Sequence, residues 1–413
     1  MSLPLLALLC CATQSLPQPK TQGDAPRKNW LVNAERVYTA AGRSIENGTV
    51  AVQGTKIGMV SNGSEDSGAD TLKCYAVTPG LVDASARIHS GMLSVEQSRE
   101  ETPELRVTDT LSPFDVAWDG QAGNGVTSVL AAAPDENVIG GLGAVLKTAG
   151  PPSIAARTVK ADAVLRGAIG SQPSRRNHPA FGRPTDFFSR RPTTRMGVEW
   201  EWRRSFYEAA ASRKDPARAY KGSAEVLAAL DGKLTLNIQA WTTQDIRTAV
   251  FLKEELEQEP QLAGKPRLVI DAAAEAWKEP QLLVRSHTSV VLPPFPEEGR
   301  TADGAFMAWN TAALLVEQGV SVALSAHGND TPAGRLAMQA GYAMQGGLDF
   351  DQALAAVTIN PARMLGVEER VGSLEVGKDA DLVLWNGEPF QATSRVIGVI
   401  VDGALVLDPR PKE

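Results

Sequence analysis

Val77-Thr78-Pro79-Gly80-Leu81-Val82-Asp83-Ala84 divides the chain into two kinds of sequence. Pro79 has no N–H for a sheet ladder and Gly80 has no side chain, so the pair makes a bend, and Leu81 and Val82 then enter a buried strand. Before the bend, Trp30 to Tyr38, Gly48 to Gln53 and Lys56 to Val60 read as short strands, the last two joined as a hairpin at Gly54-Thr55. After it, apolar strand-like runs alternate with amphipathic helices. The strands fall at Gly125–Leu130, Leu234–Ala240, Arg267–Ala272, Thr288–Leu292 and Ser321–Ser325, and the helices at Asp245–Glu257, Ala302–Gln318 and Asp349–Val357. Alternation of this kind predicts βα units on a parallel sheet, and its span suits a TIM-type (β/α)8 barrel over residues 79–366. Beyond it, Asp381–Trp385, Val396–Val401 and Ala404–Leu407 are strands again, the last two flanking an Asp402-Gly403 turn. The expected fold class is therefore α/β, with a small β-sandwich domain built from both chain ends, residues 29–78 plus 367–413, beside the barrel.

Composition limits the partners. Over 413 residues the formal net charge is -7 and the isoelectric point is near 5.4, which argues against nucleic acid, because phosphate binding needs a basic face. The apolar run Leu3 to Cys11 is far shorter than the roughly 20 residues of a membrane span. It matches the core of a signal peptide followed by a Pro/Gln/Thr-rich linker, so residues 1–28 imply export to a periplasmic or extracellular location, with Cys10 or Cys11 as the place for a lipid anchor. Cys74 then stands alone, and no disulfide framework is implied. Residues 171–195, rich in Arg, Pro and Phe, lack periodicity and read as a long insertion of the binding-loop kind.

A second stretch carries a long and specific pattern. Ala356-Val357-Thr358-Ile359-Asn360-Pro361-Ala362-Arg363-Met364-Leu365-Gly366 is followed by Val371-Gly372-Ser373-Leu374-Glu375-Val376-Gly377-Lys378-Asp379-Ala380-Asp381-Leu382-Val383-Leu384. Together with residues 77–84 it resembles the amidohydrolase superfamily, whose chain enters a barrel at the first signature and returns to a small β-domain through the second. Pro134 to Gly150 and Thr193-Thr194-Arg195-Met196-Gly197 are similar to the imidazolonepropionase-related members. The resemblance implies hydrolysis of non-peptide C–N bonds by a metal-bound hydroxide.

The metal ligands that the resemblance calls for are not in place. The first signature continues in active relatives as His-x-His, and here those positions are Ser85 and Arg87. His89 comes two residues late, a shift of about 6.6 Å along a strand, far outside the tolerance of a zinc ligand. The strand-five and strand-six histidines align with Gln239 and Ala272, and the strand-eight aspartate with His327. Ser, Arg, Gln and Ala supply no strong ligand, and a permanently charged guanidinium repels a divalent cation. No cofactor is expected, zinc being the one implied if this alignment is in error.

The remaining candidates are few. Arg87 either replaces the lost metal charge and binds a small anionic ligand, or forms a salt bridge with Asp83 or Asp271. Lys147 ends the apolar run Ala144-Val145-Leu146-Lys147; some relatives use a carboxylated lysine to bridge two metals, but without histidine partners there is nothing to bridge and it reads as a strand-end lysine reaching solvent. Trp241 points the same way as Gln239 and can fill the vacated metal pocket beside Ala272. His327 as general base, Ser85 as nucleophile, Asp271 and, in a rearranged site, His89 are the catalytic candidates, while His178 and His287 read as surface or packing residues. The expectation is a non-catalytic subunit or small-ligand binder, paired with itself or with an active amidohydrolase homologue. Its rival is a metal-independent hydrolase of amides, cyclic imides or amidines.

Overall fold

The computed structural model describes residues 29–63, 70–88, 96, 98–175, 191–296, 303–328 and 335–410. Residues 1–28 with the expected signal peptide, His89, and residues 176–190 of the insertion with His178 lie outside the described residues. Among the described residues no helix is long and apolar enough to cross a membrane.

Strands from both chain ends share one seven-stranded sheet. It contains β1 (Trp30–Val37), β2 (Ile45–Gln53), β3 (Lys56–Asn62) and β4 (Asp70–Pro79) from the front of the chain, and β13 (Leu382–Trp385), β14 (Val396–Val401) and β15 (Ala404–Leu407) from the back, in the order β15-β14-β13-β4-β1-β2-β3. The Asp402-Gly403 turn has positive φ at both residues, as a two-residue hairpin loop requires. A Cβ on Gly403 would lie 1.8 Å from the Gly54 carbonyl oxygen. The two hairpin turns therefore touch, and the sheet curls around a core that includes Trp30, Val32, Leu72, Leu382 and Ile400.

The second sheet has eight strands in strict chain order. They are β5 (Leu81–Asp83), β6 (Val126–Ala131), β7 (Ile139–Lys147), β8 (Thr158–Ala168), β9 (Thr235–Gln239), β10 (Arg267–Asp271), β11 (Ser289–Leu292) and β12 (Val322–Leu324). The barrel closes through side chains: Asp83, leaving β5, accepts from Ser325 Oγ at 2.7 Å and from the Ala326 amide at 3.0 Å, just past β12. β6, β9, β10 and β12 are buried almost throughout, as expected for strands with helices outside and a packed barrel within. Val82, Val164, Val269, Val291 and Ala323 form an apolar layer inside. The helix Ile359–Leu365 adds Ala362, Met364 and Leu365 to that layer and seals the N-terminal end of the barrel.

Several expectations need correction. β7 runs antiparallel to both neighbours, so the sheet is not wholly parallel. The expected helix Ala302–Gln318 is only Thr311–Glu317, with turns before it. β8 and the long helix Arg195–Lys214 were not anticipated at all. The helix signals were present: Thr194 caps its start by accepting from the Gly197 amide at 3.1 Å, and Val198, Trp202, Phe206 and Ala209 recur at three- and four-residue spacing on its buried face.

Candidate functional site

Alternation along the strands turns polar side chains inward just above the apolar layer. Arg166 of β8 lies abreast of Asn237 of β9, and Asp271 of β10 abreast of Gln239. Arg166 is the hub. It donates from Nε to Asp135 Oδ1 at 2.8 Å, from Nη2 to Asp271 Oδ2 at 2.6 Å, and from Nη1 to Asn237 Oδ1. Its Nη2 is also 2.6 Å from Asp135 Oδ1. Asp135 belongs to the loop between β6 and β7 and accepts from Gln239 Nε2 at 2.8 Å. Ser85 Oγ donates to Asp271 Oδ2 at 2.8 Å, so one carboxylate oxygen serves both the hydroxyl and the guanidinium.

Burial and charge set the protonation states. Burial pulls Arg166 down, but Asp135 and Asp271 outweigh it and hold the guanidinium charged. For Asp271 burial also acts first, in the opposite direction, and Arg166 with His327 and Ser85 overcomes it to leave the carboxyl below its ordinary range. Burial wins at Asp83 and Asp135, whose carboxyls are raised. Burial, then the nearby charge of Arg87, lowers His327 to about 3, against the opposing pull of Asp271, so the imidazole is neutral at physiological pH.

A cleft of about 260 Å³ opens above this cluster. Leu130, Ala132 and Pro134 form part of an apolar wall, and Ser85, Arg87, Asp135, Arg166, Gln172 and Gln239 supply the polar side. Four buried atoms at the ends of the strands have no hydrogen-bond partner among the described residues: Gln239 Oε1, Trp241 Nε1, Asp271 Oδ1 and His327 Nε2. Unpaired buried polar atoms each cost about 1–3 kcal/mol, so their concentration here is not a packing accident.

The structure brings together Ser85, Asp271, Gln239 and Arg87 of the expected site, with Trp241, Ala272 and His327 beside them. Trp241 packs with Ala272, and its ring meets His327 edge-on at 6.4 Å. Arg87 stands exposed at the cleft, and the place expected for it beside Asp271 is taken by Arg166. Lys147 is a plain correction. Because β7 runs backwards, its last residue lies abreast of Ser128 near the start of β6, at the opposite end of the barrel from the cleft. Nor does it reach solvent: it is 4% exposed and ion-paired with Asp379 and Asp381. His287 is exposed in a turn. The residues missed were Arg166 and Asp135. Ala163-Val164-Leu165-Arg166-Gly167 carries the signal, an arginine continuing an apolar run without a break.

A model of the amidohydrolase family matches residues 290–406. A solved amidohydrolase from Thermotoga maritima MSB8 superposes with a TM-score of 0.81 at 28% identity, over 92% of this chain and 100% of that one. This protein belongs to the amidohydrolase superfamily. Among curated proteins, the chain is 27% identical to the amidohydrolase tasK of Hapsidospora irregularis over 373 residues, 80% of this chain but 36% of that protein. It is also 37% identical to an imidazolonepropionase of Symbiobacterium thermophilum over 106 residues, 24% of this chain and 25% of the relative. The matched stretches thus span well under half of these curated relatives.

Of the positions assigned to ligands, Ser85, Arg87, Gln239, Ala272 and His327, only His327 is a strong donor, and among the described residues no group of three His, Cys, Asp or Glu side chains is arranged to hold a metal ion. Of the carboxylates near these positions, Asp271 and Asp135 are already bridged by a guanidinium, and Asp83 accepts from the Ser85 and Ala326 amides and from Ser325 Oγ. Among the described residues, the donor set does not fit a catalytic divalent cation.

Proposed function

We propose that this amidohydrolase-superfamily protein binds a small polar ligand at the barrel mouth and does not hydrolyse it through a metal-activated hydroxide. The observation that carries the reading is the pairing of Asp271. The cation beside it is Arg166, and a guanidinium can orient a polar group but cannot generate a hydroxide. Ser85 Oγ donates to Asp271 rather than to an imidazole, so a serine–histidine hydrogen bond of the activating kind is not formed. Gln239 Oε1 and Asp271 Oδ1 can accept and Trp241 Nε1 can donate, a set suited to a ligand with both donors and acceptors. Arg87 at the cleft favours a ligand with an anionic end. Pairing with a second copy or with an active homologue belongs to the same proposal.

One atom supports a second reading. His327 Nε2 has no hydrogen-bond partner at the barrel mouth, a position that suits a general base in metal-independent hydrolysis of an amide, cyclic imide or amidine, although burial and Arg87 lower its basicity and weigh against that role. The relatives named as amidohydrolases and imidazolonepropionase lean the same way.

The test measures metal content by plasma mass spectrometry on protein purified without chelators, then binding by calorimetry and product by chromatography for small amides, ureas and carboxylates. The expected outcome is substoichiometric metal and saturable binding without product. Hydrolysis that persists in chelator and disappears in His327→Ala would establish the second reading instead. Stoichiometric zinc would overturn both.

A further inference from the structure

We infer that Arg166 is the resident cation of the barrel mouth, a side-chain substitute for a divalent ion as the counter-charge of Asp271 and Asp135. The inference rests on the metal-free reading above and deepens it by naming the group that makes a metal unnecessary. Asp271 is fully buried, and Asp135 has only 11% of its side chain exposed. Two carboxylates so placed need a cation between them, since an uncompensated buried charge is strongly destabilising. Arg166 has the right form: its planar fork reaches both carboxylates, while its remaining donors reach Asn237. It is also centrally placed, one hydrogen-bond step from Asp271, which holds Ser85, and from Asp135, which holds Gln239. Arg87 does not fill the role, because it is exposed and its charge reaches Asp135 and His327 only across space.

A covalent cation has consequences that an exchangeable one does not. It remains charged across the physiological range and is not removed by chelators. It leaves Asp271 Oδ1, Gln239 Oε1 and His327 Nε2 unpaired around a fixed positive charge. Removing the guanidinium while keeping the carboxylates should therefore create a vacancy with oxygen and imidazole donors that an external divalent cation can enter.

The experiment compares the full chain with Arg166→Ala, Arg166→Lys and Arg166→Ala/Asp271→Asn, each titrated with cobalt chloride and followed by visible absorption and thermal melting. The native chain and Arg166→Lys should show no cobalt bands and no shift in melting. Arg166→Ala should melt lower than the native chain and recover roughly 3–6 °C at a hundredfold excess of cobalt over its dissociation constant. The double variant should lose that recovery. Should Arg166→Ala not fold, the triple variant Arg166→Met/Asp135→Asn/Asp271→Asn removes cation and carboxylates together and should fold again. A triple variant that stays unfolded overturns the inference, as does Arg166→Ala melting like the native chain or ignoring cobalt. Stoichiometric cobalt in the native chain is a different failure, because it sinks the metal-free reading itself.

Discussion

The barrel holds a buried cation between two aspartates at each of its ends, and the two differ in completeness. At the N-terminal end Lys147 is 3.1 Å from Asp379 and bonds to Asp381. Asp379 also holds Lys56 at 2.7 Å and Arg370 at 2.8 Å, and Asp381 accepts from Thr127 at 3.3 Å and from the Asp402 amide at 2.8 Å. Burial alone would raise Asp379, but those cations hold it below the ordinary carboxyl range. No atom of this cluster is left unpaired. At the C-terminal end the Arg166 cluster is just as buried, yet Asp271 Oδ1 and Gln239 Oε1 find no partner. The completed cluster fastens barrel to β-sheet, because Asp379 and Asp381 come from the chain that leads into β13. The incomplete one faces a cleft, so its spare hydrogen-bonding capacity is available to a ligand.

The largest effect expected is at the completed cluster. Lys147→Met removes the cation that Asp381 shares with Asp379 and should lower stability by about 3–5 kcal/mol, read from the midpoint of urea denaturation. Cobalt should not restore it, since Lys56 and Arg370 remain on Asp379 and no free donor set is created. A loss below about 1 kcal/mol, the scale of an exposed ion pair, would break the comparison.

How far the sequence foretold the two clusters follows from what each depends on. The Gly-Lys-x-Ala-Asp-Leu turn and the Val77–Ala84 bend are local patterns, and the barrel, the joining of strands from both chain ends and both hairpins could be read from them and from strand periodicity, whereas the expected sandwich is one seven-stranded sheet. The placement of Ser85, Gln239, Ala272 and His327 at or just past the ends of their strands was legible in the same way. The direction of β7 was not, because an isolated apolar run looks the same in either direction, and that one reversal moves Lys147 from the mouth to the base. Arg166 was missed for a related reason. A charged residue within an apolar run has no visible partner until the fold sets Asn237 and Asp271 beside it.

A middle-sized effect separates the ends by pH. The folded-state value of about 3 for His327 lies below the usual 6.5, so between these values the unfolded chain binds a proton that the folded chain does not. Its contribution is complete above pH 6.5 and is lost as pH falls towards 3. At pH 5 the loss is about 2 kcal/mol. His327→Gln cannot titrate and should flatten this part of the stability curve, measured by denaturation at pH 7 and pH 5. A variant curve parallel to the native one would show that the imidazole is not shielded at the mouth.

The smallest effect gives the scale for both. Arg106 and Asp162 form a two-pronged pair at 2.9 Å for each bond, better in geometry than Lys147 with Asp379, yet their side chains are 46% and 35% exposed. Solvent supplies most of what either loses, so Arg106→Ala should cost under about 1 kcal/mol, and less again in molar salt. If the exposed pair proved as costly as Lys147→Met, geometry rather than burial would be setting the energies. The unpaired atoms around Asp271 would then be a poor guide to where a ligand is held, because their cost depends on exclusion of water from the mouth.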